Sequence, residues 1–251
     1  MLFNIVLVCI AGFIAAVVDA IAGGGGIISV PAFLIAGIPP HMTLGTNKFC
    51  ATCGSLTSSI NFFEYKKTNF SLLKYLIPFT FIGAILGANT VMKLDPKYLN
   101  GIVLALLIFV GIYSLLSRDL GKEDNFQGLN KKNLTLGIIL SFSLGFYDGF
   151  FGPGVGSFLL FGLIGIFKFD FTKASGNGKI LNFVSNITSL VLFAVNGQVN
   201  YLYGIPAALS MIIGARFGSK LAIKKGSKLI KPIFITMSLL MAVKMLYKIT
   251  I

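Results

Sequence analysis

The stretch "DAIAGGGG", Asp19 to Gly26, interrupts an apolar run that begins at Leu2. A carboxylate is costly in hydrocarbon, and four successive glycines weaken a helical backbone. A second stretch, "DGFFGPGVG" from Asp148 to Gly156, repeats the arrangement 129 residues later, again with an acid four residues ahead of the glycine that opens the break, Gly152. Two further matches follow in the same order. Asn47 of "LGTNK" corresponds to Asn177 of "SGNGK" at an offset of 130, and "GAILG" at Gly83 to "GARFG" at Gly214 at an offset of 131. Ordered signals with so little drift predict an internal duplication over nearly the whole chain.

Composition sets the class. Of 251 residues, 55% are hydrophobic and only 12% charged, the balance of an integral membrane protein. Apolar runs recur from end to end and leave no room for a soluble catalytic domain. The formal charge of +13 could suggest nucleic acid, but the basic residues cluster in short segments between apolar runs, which is how membrane topology is encoded. No nucleic-acid partner is expected. No Lys or Arg precedes the first apolar run, so a cleaved signal peptide is not expected despite Ala20-Ile21-Ala22. Cys9, Cys50 and Cys53 are an odd set in apolar segments and indicate no disulfide framework.

A span needs about 20 apolar residues, which places helices near 2–22, 44–63, 72–92, 99–117, 134–151, 175–196, 199–220 and 231–249. The pieces 27–38 and 155–168 are too short to cross unaided, and each follows a glycine-rich break. The basic segments 64–74, 118–133 and 220–231 should be cytoplasmic. They fall on one side only if each short piece counts as a crossing. The expected fold is therefore all-α and polytopic, with eight long spans and two half-helices in two five-segment halves. Five is odd, so the halves enter from opposite sides as an inverted repeat. Residues 1–117 form the first repeat, 118–133 a basic cytoplasmic linker and 134–251 the second, together one transport domain.

The glycine runs are not nucleotide motifs. Ile28 and Ser29 do not supply the third glycine of a dinucleotide fingerprint, and "GNGK" at Gly176 lacks the Walker spacing. A break between helical pieces instead leaves backbone N–H groups near midplane, where they suit an anion; the bland alternative is close helix packing. Asp19 and Asp148 are the acids well inside apolar segments. Each is a candidate to carry a coupling proton, to tie the broken backbone, or to pair with Lys48 or Lys179.

Polar stripes at helical spacing run through Lys48, Thr52, Ser55 and Ser59, and through Lys179, Asn182, Asn186 and Ser189. In lipid such faces must turn toward protein or water. Lysines and amides around a centre make a donor-rich site that prefers oxyanions, although Asn and Ser also serve as helix–helix glue. The GxxxG patterns at Gly83 and Gly214 predict close helix contact, and Arg216 predicts snorkelling. Cys50 and Cys53 form a CxxC with no second pair to complete a zinc site, so no metal or cofactor is expected. His41 follows Pro39-Pro40 and reads as a loop residue.

The paired stretches "GFIAAVVDAIAGGGGIISVPAFLIAGI…LGTNK" and "GFYDGFFGPGVGSF…TKASGNGKILNFVSNITSLVLF" resemble the sulfite exporter TauE/SafE family, also called TSUP. The resemblance implies secondary transport of sulfur-containing anions, such as sulfite or sulfonates, in a bacterial plasma membrane. It places Asp19, Gly23, Gly24, Gly25, Gly26, Thr46, Asn47 and Lys48 in the first-half site. Asp148, Gly152, Gly154, Asn177, Lys179 and Asn182 follow in the second, and the polar stripe adds Asn186. Where other members often have Thr or Ala before the second-half Lys, this chain has Gly176, Asn177 and Gly178. Two other classes stay open at this point: a membrane-embedded thiol enzyme or sulfur carrier using Cys50 and Cys53, and an anion channel. Substrate, coupling ion and assembly into a homo-oligomer are not legible in the sequence.

Overall fold

The computed structural model describes residues 2–95 and 123–225, which are helical apart from turns and the approach over 123–130. The described helices are α1 (Leu2–Ala22), α2 (Gly26–Ile35), α3 (Pro40–Glu64), α4 (Phe70–Met92), α5 (Lys131–Phe150), α6 (Val155–Phe167), α7 (Phe171–Val195) and α8 (Tyr201–Lys225). The expected spans 99–117 and 231–249 lie outside the described residues, as do parts of the basic segments 118–133 and 220–231 and the boundary at 117 between the expected repeats. Of the described helices, α1, α4 and α7 are long and apolar enough to cross a membrane.

Helices α3, α4, α5 and α7 begin two to four residues earlier than their apolar runs suggest. Helix α3 starts at Pro40 rather than near 44, because a proline at the first helical position brings a preset φ and needs no N–H acceptor. His41 therefore sits in the first turn of α3, its Nε2 3.1 Å from the Leu94 carbonyl oxygen, and is not a loop residue. Helix α7 starts at Phe171 rather than near 175, because the Asp170 carboxylate accepts from the amides of Thr172 and Lys173 at 2.7 and 2.8 Å. A reciprocal capping box between Asn130 and Asn133 opens α5.

The short helices, 10 and 13 residues long, rise only roughly 15 and 20 Å. Each folds back along the long helix before it. Asn4 Nδ2 donates to the Ala36 carbonyl at 3.1 Å, so α2 ends beside the start of α1. The Asn125 amide donates to the Lys168 carbonyl at 2.9 Å, so α6 ends beside the approach to α5.

Packing in one half has its counterpart in the other: α1 lies on α8 as α5 lies on α4, and α3 on α8 as α7 on α4. The GxxxG glycines make the first pair of contacts close. A Cβ at Gly83 or Gly87 would stand 2.3 or 2.0 Å from the carbonyl oxygens of Phe142 or Phe146, and one at Gly214 or Gly218 would stand 2.4 or 2.6 Å from those of Phe13 or Val17. These positions tolerate no side chain, as the pattern predicts.

Directions follow from the same contacts. Helices α3 and α8 run alike, with Cys50 against Gly204 and Asn61 against Ser219. Helices α3 and α7 run antiparallel, with Gly45 against Gln198 and Gly176 against Lys67. Two apolar clusters close the bundle, one around Phe62, Leu76, Leu163 and Phe167, the other around Val30, Leu44, Phe151 and Phe193. The buried polar faces of α3 and α7 occupy the interior. Outward-facing Ile10, Phe79, Ile82, Leu209, Ile213 and Phe217 offer the apolar surface that a bilayer solvates.

Candidate functional site

The two glycine breaks cross one another. Gly23, at φ +77°, packs on the second break so tightly that a Cβ there would stand 2.2 Å from the Gly156 carbonyl carbon. Gly26 meets Pro153 in the same crossing. The Ser157 hydroxyl donates to the Ala22 carbonyl at 3.0 Å, tying the start of α6 to the end of α1. An oligoglycine segment is needed because backbone meets backbone here.

Each long polar helix then reaches across to the other half's acid. Lys48 and Lys179 are each the ninth residue of their helices, and because α3 and α7 run oppositely they approach the centre from opposite ends. Lys48 Nζ pairs with Asp148 Oδ1 at 2.5 Å, both side chains 2% exposed. Lys179 Nζ pairs with Asp19 Oδ2 at 2.6 Å, with Lys179 buried and the Asp19 side chain 25% exposed. Asp148 Oδ2 also accepts from Asn182 Nδ2 at 3.1 Å and from the Ser185 hydroxyl. Asp19 Oδ1 has the Gly25 amide, at 3.2 Å. Of the roles open to these acids in the sequence, pairing with a lysine is thus realised for both, in crossed fashion.

A cavity of about 40 Å³ lies between the breaks and the polar faces of α3 and α7. That is room for a few water-sized groups. Asp19, Gly24, Gly25, Gly26, Asn47, Asp148, Gly152, Gly154, Asn182 and Asn186 all border it. The amides of Gly26 and Gly156 lie in the first turns of α2 and α6, where a helix provides no acceptor. Asn47 Oδ1 is held by the Ser29 hydroxyl at 2.6 Å, which orients the amide and leaves its Nδ2 hydrogens for the cavity side. Asn186 is steadied by its bond to the Asn182 carbonyl at 2.8 Å.

The remaining candidates sit elsewhere. Gly23 is at the crossing and borders a second, smaller void. Lys48 and Lys179 stand behind the carboxylates they pair with and do not border the central cavity. Thr46 and Asn177 fix turns: Thr46 Oγ1 accepts from the Asn200 amide at 2.9 Å, and Asn177 Oδ1 from the Asn69 amide at 2.8 Å. The counterpart of Asn177 is therefore Thr46, and the sequence match to Asn47 shifts by one residue. Sequence reading missed Ser29 and the small residues Ala15, Ala51 and Gly54 as lining. Small apolar residues carry no polar signal, so nothing in the pattern marks them. Neither Cys50 nor Cys53 borders the cavity, and the Cys50 thiol donates to the Gly204 carbonyl at 3.3 Å.

Comparison with known proteins places the chain in a family. Residues 8–245 match the model of the family described as sulfite exporter TauE/SafE. The "Probable membrane transporter protein" of Haemophilus influenzae is 38% identical over 242 residues, covering 96% of this chain and 94% of that one. The "Probable membrane transporter protein YfcA" of Escherichia coli strain K12 is 39% identical over 238 residues, 95% and 86% of the two chains. A "Sulfite exporter TauE/SafE family protein 3" of Arabidopsis thaliana is 32% identical over 140 residues, 52% of this chain and 29% of that one. No solved structure matches. With its apolar spanning helices, this is a multi-pass cell-membrane protein in contact with lipid, and it belongs to the sulfite exporter TauE/SafE family of membrane transporters.

Proposed function

We propose that the protein is a secondary transporter that moves a small oxyanion, sulfite or a related sulfur-containing anion, by alternating access between two inverted five-segment halves. The observation that carries this reading is the crossing of two broken helices at one cavity bordered by both halves. Discontinuous helices with their starts at a central site are the recurrent device of secondary transporters. The antiparallel course of α3 and α7 and the exchanged packing of the halves support the inverted relation, and so does the placement of the basic turn at Lys66–Lys67 beside the start of α7.

The anion's contacts are the first-turn amides of α2 and α6 with the side-chain amides of Asn47, Asn182 and Asn186. Lys48 and Lys179 supply positive charge from behind their paired carboxylates. A proton on Asp19 or Asp148 would weaken the pairing and give an anion access to a lysine, which is the route by which proton coupling would enter.

Binding tests this directly. Purified protein is screened by thermal shift against sulfite, thiosulfate, sulfonates and carboxylates, and the hits are taken to counterflow in proteoliposomes. Sulfite-class anions should raise the melting temperature, and Asn47→Ala with Asn186→Ala should remove that rise while the unliganded melt is retained. A flux that neither saturates nor shows counterflow would instead identify an anion channel.

A further inference from the structure

The crossed ion pairs look equivalent on paper and are built differently. Asp148 is held by three side chains on both oxygens, whereas Asp19 has one lysine and one backbone amide. The difference is encoded in α3 and α7. At the 131-residue offset that relates Lys48 to Lys179, the positions of Asn182 and Ser185 correspond to Ala51 and Gly54, which have nothing to donate.

What lies beyond each pair differs as well. Behind Asp19 and Lys179 is a void of about 10 Å³ bordered by Ala22, Gly23, Gly156, Ser175 and Gly178. Asp19 and Gly156 border both this void and the central cavity, so the Asp19–Lys179 pair stands between the two. At the corresponding place on the other side, Ala22 is replaced by Phe151 and Ser175 by Leu44. Both are within 2% of full burial in the cluster with Val30 and Phe193. One lysine–aspartate pair has a void beside it, and the place that corresponds to that void on the other side is held by a buried Phe and a buried Leu.

We infer that the Asp19–Lys179 pair is the gate of the central cavity toward the end of the bundle where α7 begins, and that Lys48–Asp148 with its Phe151–Leu44 backing is the closed seal on the opposite side. Parting Asp19 from Lys179 joins the central cavity to the Ser175 void and opens a path toward the basic, cytoplasmic end. Parting Lys48 from Asp148 opens nothing while Phe151 and Leu44 remain. The inference rests on the transport reading above, since a gate presumes passage, but its test needs no substrate.

The test is thiol accessibility. Cys9, Cys50 and Cys53 are replaced by Ser, and Ala51→Cys places one thiol on the central cavity. A membrane-impermeant thiol reagent is then applied to inside-out vesicles and, separately, to right-side-out spheroplasts. Lys179→Met or Asp19→Asn should raise labelling from the cytoplasmic face at least tenfold and leave the other face unchanged, whereas Lys48→Met with Asp148→Asn, which leaves no unpaired buried charge, should leave cytoplasmic labelling near the parent rate. The charge exchange Asp19→Lys with Lys179→Asp should return labelling toward the parent. If single charge variants do not fold, Ser175→Leu, which fills the void with the pair intact, should lower cytoplasmic labelling. Equal change from both faces, or no change with Ser175→Leu, overturns the gate. Directional labelling in a protein that binds no sulfite-class anion would remove the substrate reading and keep the gate; symmetric labelling in a protein that binds sulfite would do the reverse.

Discussion

The two glycine breaks repeat one sequence pattern, yet their closest contacts differ. In the first, Gly23 meets the backbone of Gly156, and a Cβ there would stand 2.2 Å from a main-chain carbon. In the second, a Cβ on Gly152 would meet Asp148 Oδ1 at 2.8 Å and Lys48 Nζ at 2.9 Å, both ends of side chains. Both glycines have positive φ, +77° and +95°. The turn geometry is the same and the surroundings differ: both breaks meet at the Gly23–Gly156 crossing, but Gly152 of the second also backs the Lys48–Asp148 ion pair.

Breaking that comparison gives the largest effect. Gly23→Ala should abolish the monodisperse peak in size-exclusion chromatography, because neither backbone can withdraw without separating α1 from α6. Gly152→Ala should yield folded protein with a lowered melt, since Lys48 and Asp148 can shift their ends. If both variants fold equally well, the breaks do not cross as described.

Next in size are the lysines. Lys48→Met strands a buried carboxylate together with the Asn182 and Ser185 groups aimed at it, a loss of about 3–5 kcal/mol. Lys179→Met should cost less, about 1–2 kcal/mol, because Asp19 is a quarter exposed and can turn into the cavity. Melting temperatures in one detergent rank the two, and Asp148→Asn added to Lys48→Met should recover part of the loss. Equal shifts would erase the asymmetry between the pairs.

Much of this was legible in the sequence because a membrane interior tolerates few polar residues, so Asp19, Asp148, Lys48 and Lys179 stood out by their cost. The two glycine-rich stretches were legible because glycines mark places where backbones meet without room for a side chain. Which lysine meets which acid was not legible, since a repeat offset relates a residue to its copy and says nothing of contacts between the copies. The displacement of Thr46 and Asn177 from the cavity to the turns was hidden too. Each bonds an amide, of Asn200 or Asn69, that lies beyond the end of the other polar helix and directly before the start of the next one, α8 or α4. The starts of α3 and α7 were misplaced because the proline that opens α3 at Pro40 and the Asp170 cap of α7 lie upstream of the apolar periodicity.

The smallest predicted effect sharpens the comparison most. Gly54 stands where Ser185 stands in the second half, and a Cβ on Gly54 would meet Met211 Cβ at 3.7 Å and Ala215 Cβ at 3.9 Å, ordinary contacts. Gly54→Ser therefore fits without displacement and places a hydroxyl where Ser185 serves Asp148. It should stabilise the protein by about 1 kcal/mol, combining a gain over glycine in a helix with a new bond to Asp19. Gly54→Ala supplies the helical gain without the hydroxyl, so the melting difference between the two isolates the bond. If Ser exceeds Ala and also slows cytoplasmic labelling of the central cavity, Asp19 has been made to behave like Asp148. If the two variants melt alike, the unequal ligation of the carboxylates is not what distinguishes the halves, and the distinction rests on Phe151 and Leu44 alone.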